Sequence, residues 1–300
     1  MDSSSKKIKV PVSAFVYSQL AVDVEDYELK GVGEICNRIL SQYSSLGAPV
    51  GSAGREVFKG GPPLQFNLYK ENRRFLNYVE NLKLKLASVC RYYFEEYTAM
   101  PRAERELFIN RENVAAVKKA IELGQQISFE YKEKFLTLSP CFIANSPSNV
   151  HAYLVAYGVR SVQGEKWAGF NAYRISRIKN AAQIPGSVAQ HTAEFNLSRQ
   201  AEMFRENFDP FLCYGQTVTA NLTPKGMEIY NTAKTNRPVL KSSIQASDGV
   251  RTTCVFQCSE KLAEIYFPQF LEEVEILEPD TLRLKFQERL TAALERYKRG

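Results

Sequence analysis

Apolar Ile8, Val10 and Val12 alternate with Lys7, Lys9 and Pro11, the period-two pattern of a short strand. Ser13 then stands where a helix N-cap belongs. Phe15, Val16, Leu20, Val24 and Tyr27 fall on one helical face, which predicts a helix over 14–29. Gly31 and Gly33 interrupt it, and Ile35, Ile39 and Leu40 mark a second helix over 34–43. Between Gly47 and Pro63 glycine recurs, but no Lys-Ser/Thr pair follows the last one as a phosphate loop requires, so the stretch reads as a linker. Phe75, Val79, Leu82, Leu86, Val89, Tyr93 and Tyr97 recur every three or four residues and predict one long amphipathic helix ending near Pro101. A further helix covers 111–123, with Gly124 at its C-terminal cap.

Beyond Gly124 the period changes to two. Ile127-Ser-Phe129-Glu-Tyr131 alternates, as do the runs over 135–143, 151–157 and 170–178. Several short strands in close succession predict a small barrel. On a strand through 170–178, Arg174 and Arg177 point to opposite faces. A polar helix over 196–207 leads into strand 217–222, helix 224–233, strands 239–244 and 252–257, helix 260–270, strand 274–277 and a last helix over 280–297. That βαββαβ order is the ferredoxin-like one. The expected fold is therefore α+β in four segments: 1–46, a loop and helical linker over 47–124, a barrel over 125–187, and a C-terminal extension over 188–300.

Composition narrows the function. Hydrophobic residues make up 44% and charged residues 24% of 300, enough for a packed core. No apolar run reaches the roughly 18 residues a membrane span requires. Met1 to Lys9 is polar and basic with no apolar segment behind it, which predicts a cytoplasmic protein. Six cysteines lie at irregular spacings; Cys254 and Cys258 share a strand face, but His151 and His191 are the only histidines. No metal or other cofactor is expected, and buried thiols in a reducing compartment are the reading adopted. Neither histidine adjoins a nucleophile motif, and the carboxylate pairs Glu95-Glu96 and Glu272-Glu273 are mere sequence neighbours, so an enzyme is not expected. Net charge is +6 and the isoelectric point about 8.9, a mild lean toward polyanions. From Lys166 to Ala193 there is no acidic residue, while Lys166, Arg174, Arg177 and Lys179 fall there.

Residues 116–183 resemble the WYL domain. The pieces, in order, are Ala120-Ile121, Phe129-Glu-Tyr131, Ser139-Pro140, Tyr153-Leu154-Val155-Ala156 and Tyr173-Arg174-Ile175-Ser176-Arg177-Ile178. Ala152 replaces the tryptophan of the name-giving triplet, and Ser176 a usually acidic residue. Arg237-Pro238 and the run over 276–286 resemble the extension common after WYL domains. Residues 6–45 resemble a ribbon-helix-helix unit, whose strand pairs with that of a second chain. One strand and two short helices bury little core alone, so a homodimer through this ribbon is expected. Together the two resemble the accessory WYL proteins of type VI-D CRISPR systems. That resemblance implies an SH3- or Sm-like barrel, binding of single-stranded RNA, and stimulation of an RNA-guided CRISPR effector. The competing reading is a dimeric DNA-binding regulator whose WYL domain senses a ligand.

The residues expected to carry binding follow. Arg174 and Arg177 offer forked donors to phosphate. Tyr131, Tyr153 and Tyr173 supply faces for base stacking. The Ser139 hydroxyl can reach a phosphate or a 2′-OH, and Lys166 adds charge. Lys7 and Lys9 face out of the ribbon, but lysine reads base edges poorly. The ribbon is therefore expected mainly to dimerise, with nonspecific phosphate contact.

Overall fold

In the structure, a computed structural model describing residues 6–46, 61–145, 149, 151–162 and 165–298, the first strand finds its partner in its own chain. Strand β1 (Lys7–Val10) leads through Ser13, whose hydroxyl accepts a hydrogen bond from Val16 N at 3.2 Å, into helix α1 (Ala14–Asp26). Helix α2 (Val32–Leu46) follows, then strand β2 (Leu64–Asn67). β1 and β2 are antiparallel, with Lys7 opposite Asn67, Ile8 opposite Phe66, Lys9 opposite Gln65 and Val10 opposite Leu64. Ile8, Val10, Leu64 and Phe66 are buried. The expectation that residues 6–45 need a second chain's strand is corrected accordingly: β2 pairs with β1 along its length and extends the core. Leu64, Phe66 and Leu68 alternate with Gln65 and Asn67, the same period-two signal that marks β1, placed directly after the glycine-rich stretch.

The predicted long helix over 75–97 is in fact two. α3 (Arg73–Asn81) ends in a turn where Lys83 takes a left-handed backbone (φ 55°), and α4 (Leu86–Ala99) starts anew. The rings of Phe75 and Tyr93 lie 5.9 Å apart, whereas 18 residues of unbroken helix span about 27 Å. Folding back lets both helices bury their apolar stripes in one core with β1, α1, α2 and β2, while Leu82 is left exposed. Asn37 of α2 knits this core: its Nδ2 donates to Gly33 O and Asn67 O, and its Oδ1 accepts from Tyr69 N.

Helices α5 (Arg102–Ile109) and α6 (Arg111–Glu122) come next. The strands are β3 (Ile127–Tyr131), β4 (Lys134–Ala144), β5 (Tyr153–Val162), β6 (Glu165–Arg174) and β7 (Ile178–Gln183), hydrogen-bonded in the order β6-β5-β4-β3-β7. Then follow α7 (Gln190–Ala193), α8 (Phe195–Glu206), β8 (Thr217–Leu222), α9 (Pro224–Thr232), β9 (Val239–Gln245), β10 (Thr252–Gln257), α10 (Glu260–Tyr266), β11 (Val274–Glu278) and α11 (Asp280–Lys298). The last sheet runs β11-β8-β10-β9, every pair antiparallel, over a core that includes Phe256, Tyr266, Phe267 and Phe270. The chain is thus mixed helix and sheet. It divides into two compact units: Met1–Val117 with Phe129–Leu136 and Arg174–Ala182, and Lys118–Ser128 with Thr137–Tyr173 and Gln183–Gly300. Among the described residues no helix is long and apolar enough to cross a membrane.

The first unit holds a buried ion pair. Arg105 Nε and Nη2 donate to the two oxygens of Asp23 at 2.7 and 2.9 Å, and Tyr97 Oη donates to Asp23 at 2.9 Å. Asp23 has no exposed surface. Asp23→Ala leaves the guanidinium buried and uncompensated, and should lower stability by roughly 3–5 kcal/mol in urea unfolding followed by circular dichroism. A loss under about 1 kcal/mol would show that water reaches the pair.

All six cysteines are buried, and burial pushes the Cys90 and Cys141 thiols up to about 12. Thiolate, the reactive form, is therefore scarce. A chromogenic disulfide reagent at pH 8 should label six thiols in denaturant and few in the native protein; fast native labelling of all six contradicts this burial.

Candidate nucleic-acid interface

The run from Tyr173 to Ile178 is not a continuous strand. β6 ends at Arg174, Ile175–Arg177 form a 3-10 turn, and β7 starts at Ile178. Period two therefore does not govern Arg174 and Arg177, and the opposite-face expectation is corrected. Each arginine instead meets a carboxylate of the first unit. Arg174 Nε lies 3.8 Å from Oε1 of the fully buried Glu106, which also accepts the Ser176 N–H at 2.8 Å. Arg177 donates from Nε and Nη2 to Glu28 Oε1 at 2.7 and 2.5 Å. Hydrogen bonding from Arg177 holds the Glu28 carboxyl below its usual range. Asn113 fixes the same segment from α6: its Nδ2 donates to Ile178 O, and its Oδ1 accepts from Ala181 N.

The two pairs differ in access. The Arg174 side chain is 12% exposed and its partner not at all; Arg177 and Glu28 are 32% and 53% exposed. An incoming phosphate can compete for Arg177, but to reach Arg174 it would have to leave Glu106 buried without its cation.

Tyr131 stays beside both arginines, and the other expected residues scatter. Tyr131 is half-buried, and its hydroxyl accepts from Arg174 N at 3.4 Å. Tyr173 and Ser139 are buried; Ser139 Oγ accepts from Gln190 N at 3.0 Å, starting α7, so both serve packing rather than a surface. Tyr153 is half-buried against Phe208, with ring centroids 5.6 Å apart. Lys166 lies on β6, but its side chain falls outside the described residues. Lys7 and Lys9 are exposed and stand across β1–β2 from Asn67 and Gln65, also exposed. The ribbon's outer face thus carries two amides that became visible only once β2 was known.

In the first unit an open cleft of about 430 Å³ lies between the α1–α2 turn, the α5–α6 junction and residues 176–180. Glu34 and Arg38 on its wall pair at 2.7 Å, and Arg38 Nη1 donates to Asn110 Oδ1 at 3.1 Å. Among the described residues no three potential metal ligands come together.

No protein-family model and no curated protein matches the chain. Among solved structures it is similar to one described as a CRISPR Cas-related protein, at 16% identity and a TM-score of 0.75 over 100% of this chain and 96% of the other. The proteasome accessory factor B/C of Arthrobacter aurescens aligns at 15% identity and a TM-score of 0.32 over 86% of this chain and 35% of that one. The first likeness establishes a shared fold along the whole chain.

Ser139→Ala removes the acceptor that starts α7 and should cost about 1 kcal/mol of stability while leaving any nucleic-acid affinity unchanged. A drop in affinity without a drop in melting temperature would return Ser139 to the binding surface.

Proposed function

We propose that this protein is a non-enzymatic accessory factor that binds single-stranded RNA, stimulates an RNA-guided CRISPR ribonuclease, and works as a homodimer. The observation that carries the nucleic-acid reading is that exposed lysines of the first unit stand outside its ion pairs, four of them on the ribbon and around the cleft. Lys7, Lys9, Lys30 and Lys179 form no ion pair among the described residues, and all four are exposed in the first unit. Exposed cations of this kind suit a phosphate backbone and release counterions when they meet it. The fold shared with the CRISPR Cas-related protein supports the CRISPR setting.

A second reading, a dimeric DNA-binding regulator, is favoured by the ribbon. Gln65 and Asn67 beside Lys7 and Lys9 suit the major groove, which admits a two-stranded ribbon and whose adenine edges pair with such amides. Anisotropy with labelled single-stranded RNA, single-stranded DNA and duplex DNA over a salt series separates the two. Tightest binding to single-stranded RNA is expected; equal or tighter binding to duplex DNA favours the regulator.

The dimer has its support in α11. Leu282 and Phe286 pack on the C-terminal core, and Leu290, Ala293, Leu294 and Tyr297 continue at i, i+3, i+4 and i+7 with all four exposed. An apolar row at that spacing is a helix-packing face. Light scattering should give a dimer for wild type and a monomer for Leu290→Glu combined with Leu294→Glu. A monomeric wild type at micromolar concentration would remove the dimer from the proposal.

A further inference from the structure

Among the described residues six charged side chains line the cleft of the first unit, Glu28, Lys30, Glu34, Arg38, Glu112 and Lys179, and three of them are in ion pairs. Glu34 holds Arg38, and Glu28 holds Arg177. Lys30, from the α1–α2 turn, and Lys179, from β7, both line the cleft and form no ion pair among the described residues. Ser176 also lines the cleft, and its hydroxyl oxygen is buried with no hydrogen-bond partner. Helix α6, 12 residues long, begins there, with Glu112 and Asn113 of its first turn in the wall. The first N–H groups of a helix lack intrahelical partners and carry the positive end of its dipole. The cleft volume lies within the range of about 300–1,000 Å³ typical of small-ligand pockets, room for one nucleotide and not for a duplex.

We propose that this cleft is a nucleoside-phosphate site in which Lys30 and Lys179 hold the phosphate, the Ser176 hydroxyl donates to the ligand, and the phosphate displaces Glu28 from Arg177. Glu28 is built for displacement. Its backbone is left-handed (φ 55°), its side chain is half-exposed, and an ion pair that open to solvent contributes little to stability. Glu106, fully buried under Arg174, is the fixed counterpart that keeps the segment in place when Glu28 lets go. The phosphate has two sources, a free nucleotide or one residue of a strand. In the second case the site deepens the single-stranded RNA reading and rests on it; in the first it stands alone.

The full-length protein is titrated with adenosine 5′-monophosphate by calorimetry and with a fluorescein-labelled oligouridine by anisotropy over a salt series. The variants are Lys30→Ala combined with Lys179→Ala, and Glu28→Gln, with a thermal melt of each to confirm folding. The lysine pair variant should weaken binding at least tenfold and reduce the oligouridine salt slope by about 1.4, at roughly 0.7 per contact. Glu28→Gln should tighten binding several-fold by freeing Arg177. Binding of oligouridine with the monophosphate silent assigns the site to a strand. Binding of the monophosphate with oligouridine silent keeps the site and removes the RNA reading. If wild type and the lysine pair variant bind oligouridine equally, the RNA reading stands and this site is overturned. Silence toward both ligands overturns both. A Glu28→Gln variant no tighter than wild type overturns the displacement.

Discussion

Two adjacent buried charges on a two-turn helix organise the first unit. Arg105 and Glu106 sit about 100° apart around α5 and therefore face different neighbours. Arg105 faces α1 and closes a forked pair on Asp23; Glu106 faces the turn after β6, accepts the Ser176 N–H and lies 3.8 Å from the Arg174 Nε, which donates no hydrogen bond among the described residues. Desolvating such pairs offsets most of their attraction, so their contribution to net stability is small. Their effect is on alternatives: any packing that slides α5 along α1, or the 174–182 segment along α5, strands a charge without water or partner. Apolar contacts such as those of Phe94 and Tyr97 tolerate small shifts, whereas a bidentate pair does not.

The elements legible in the sequence are those whose signals are local. Ser13 caps α1 because a hydroxyl at that position can only usefully meet the N–H groups just ahead of it. Gly124 closes the last turn before the strands because its left-handed backbone (φ 61°) is read from one residue. The alternation of Leu64, Phe66 and Leu68 marks β2 as locally as Ile8, Val10 and Val12 mark β1; what no local signal gives is their pairing, which joins residues more than fifty positions apart. The break between α3 and α4 keeps the helical spacing on both sides, so periodicity passes through it unmarked; only the exposure of Leu82 shows that the face has turned away.

The candidate interface was legible in its charges and not in their cancellation. Arg174 and Arg177 lie in a stretch without acidic residues, and the sequence allows one to line a groove and the other to pair with a carboxylate without saying which carboxylate. Their partners come from elsewhere: Glu28 is 149 residues before Arg177 in sequence. A run's local charge therefore says little about its field once the chain is folded, because a carboxylate at 2.5–2.7 Å replaces the solvent counter-ion. The lysines behave differently. A long, strongly hydrated side chain gains little from burial, so lysines stay at the surface and more often keep their charge unpaired. In this unit Arg105, Arg174 and Arg177 face carboxylates, whereas Lys7, Lys9, Lys30 and Lys179 stand exposed at the surface.

That division gives Arg177 a double character. Its carboxylate partner lies on a turn and not in a core, and both side chains keep contact with water. Around such a pair the effective dielectric is high, and salt screens the attraction further. A phosphate brings more negative charge and a geometry that accepts two parallel N–H bonds from one guanidinium, so at equal access it outcompetes a carboxylate held by one oxygen. Around Arg174 the balance reverses: Glu106 has no water to retreat into, so taking its cation leaves a buried charge alone at a cost no single surface phosphate contact offsets. Two arginines three residues apart therefore differ through their partners: Arg174 faces a carboxylate with no exposed surface, and Arg177 one that keeps contact with water.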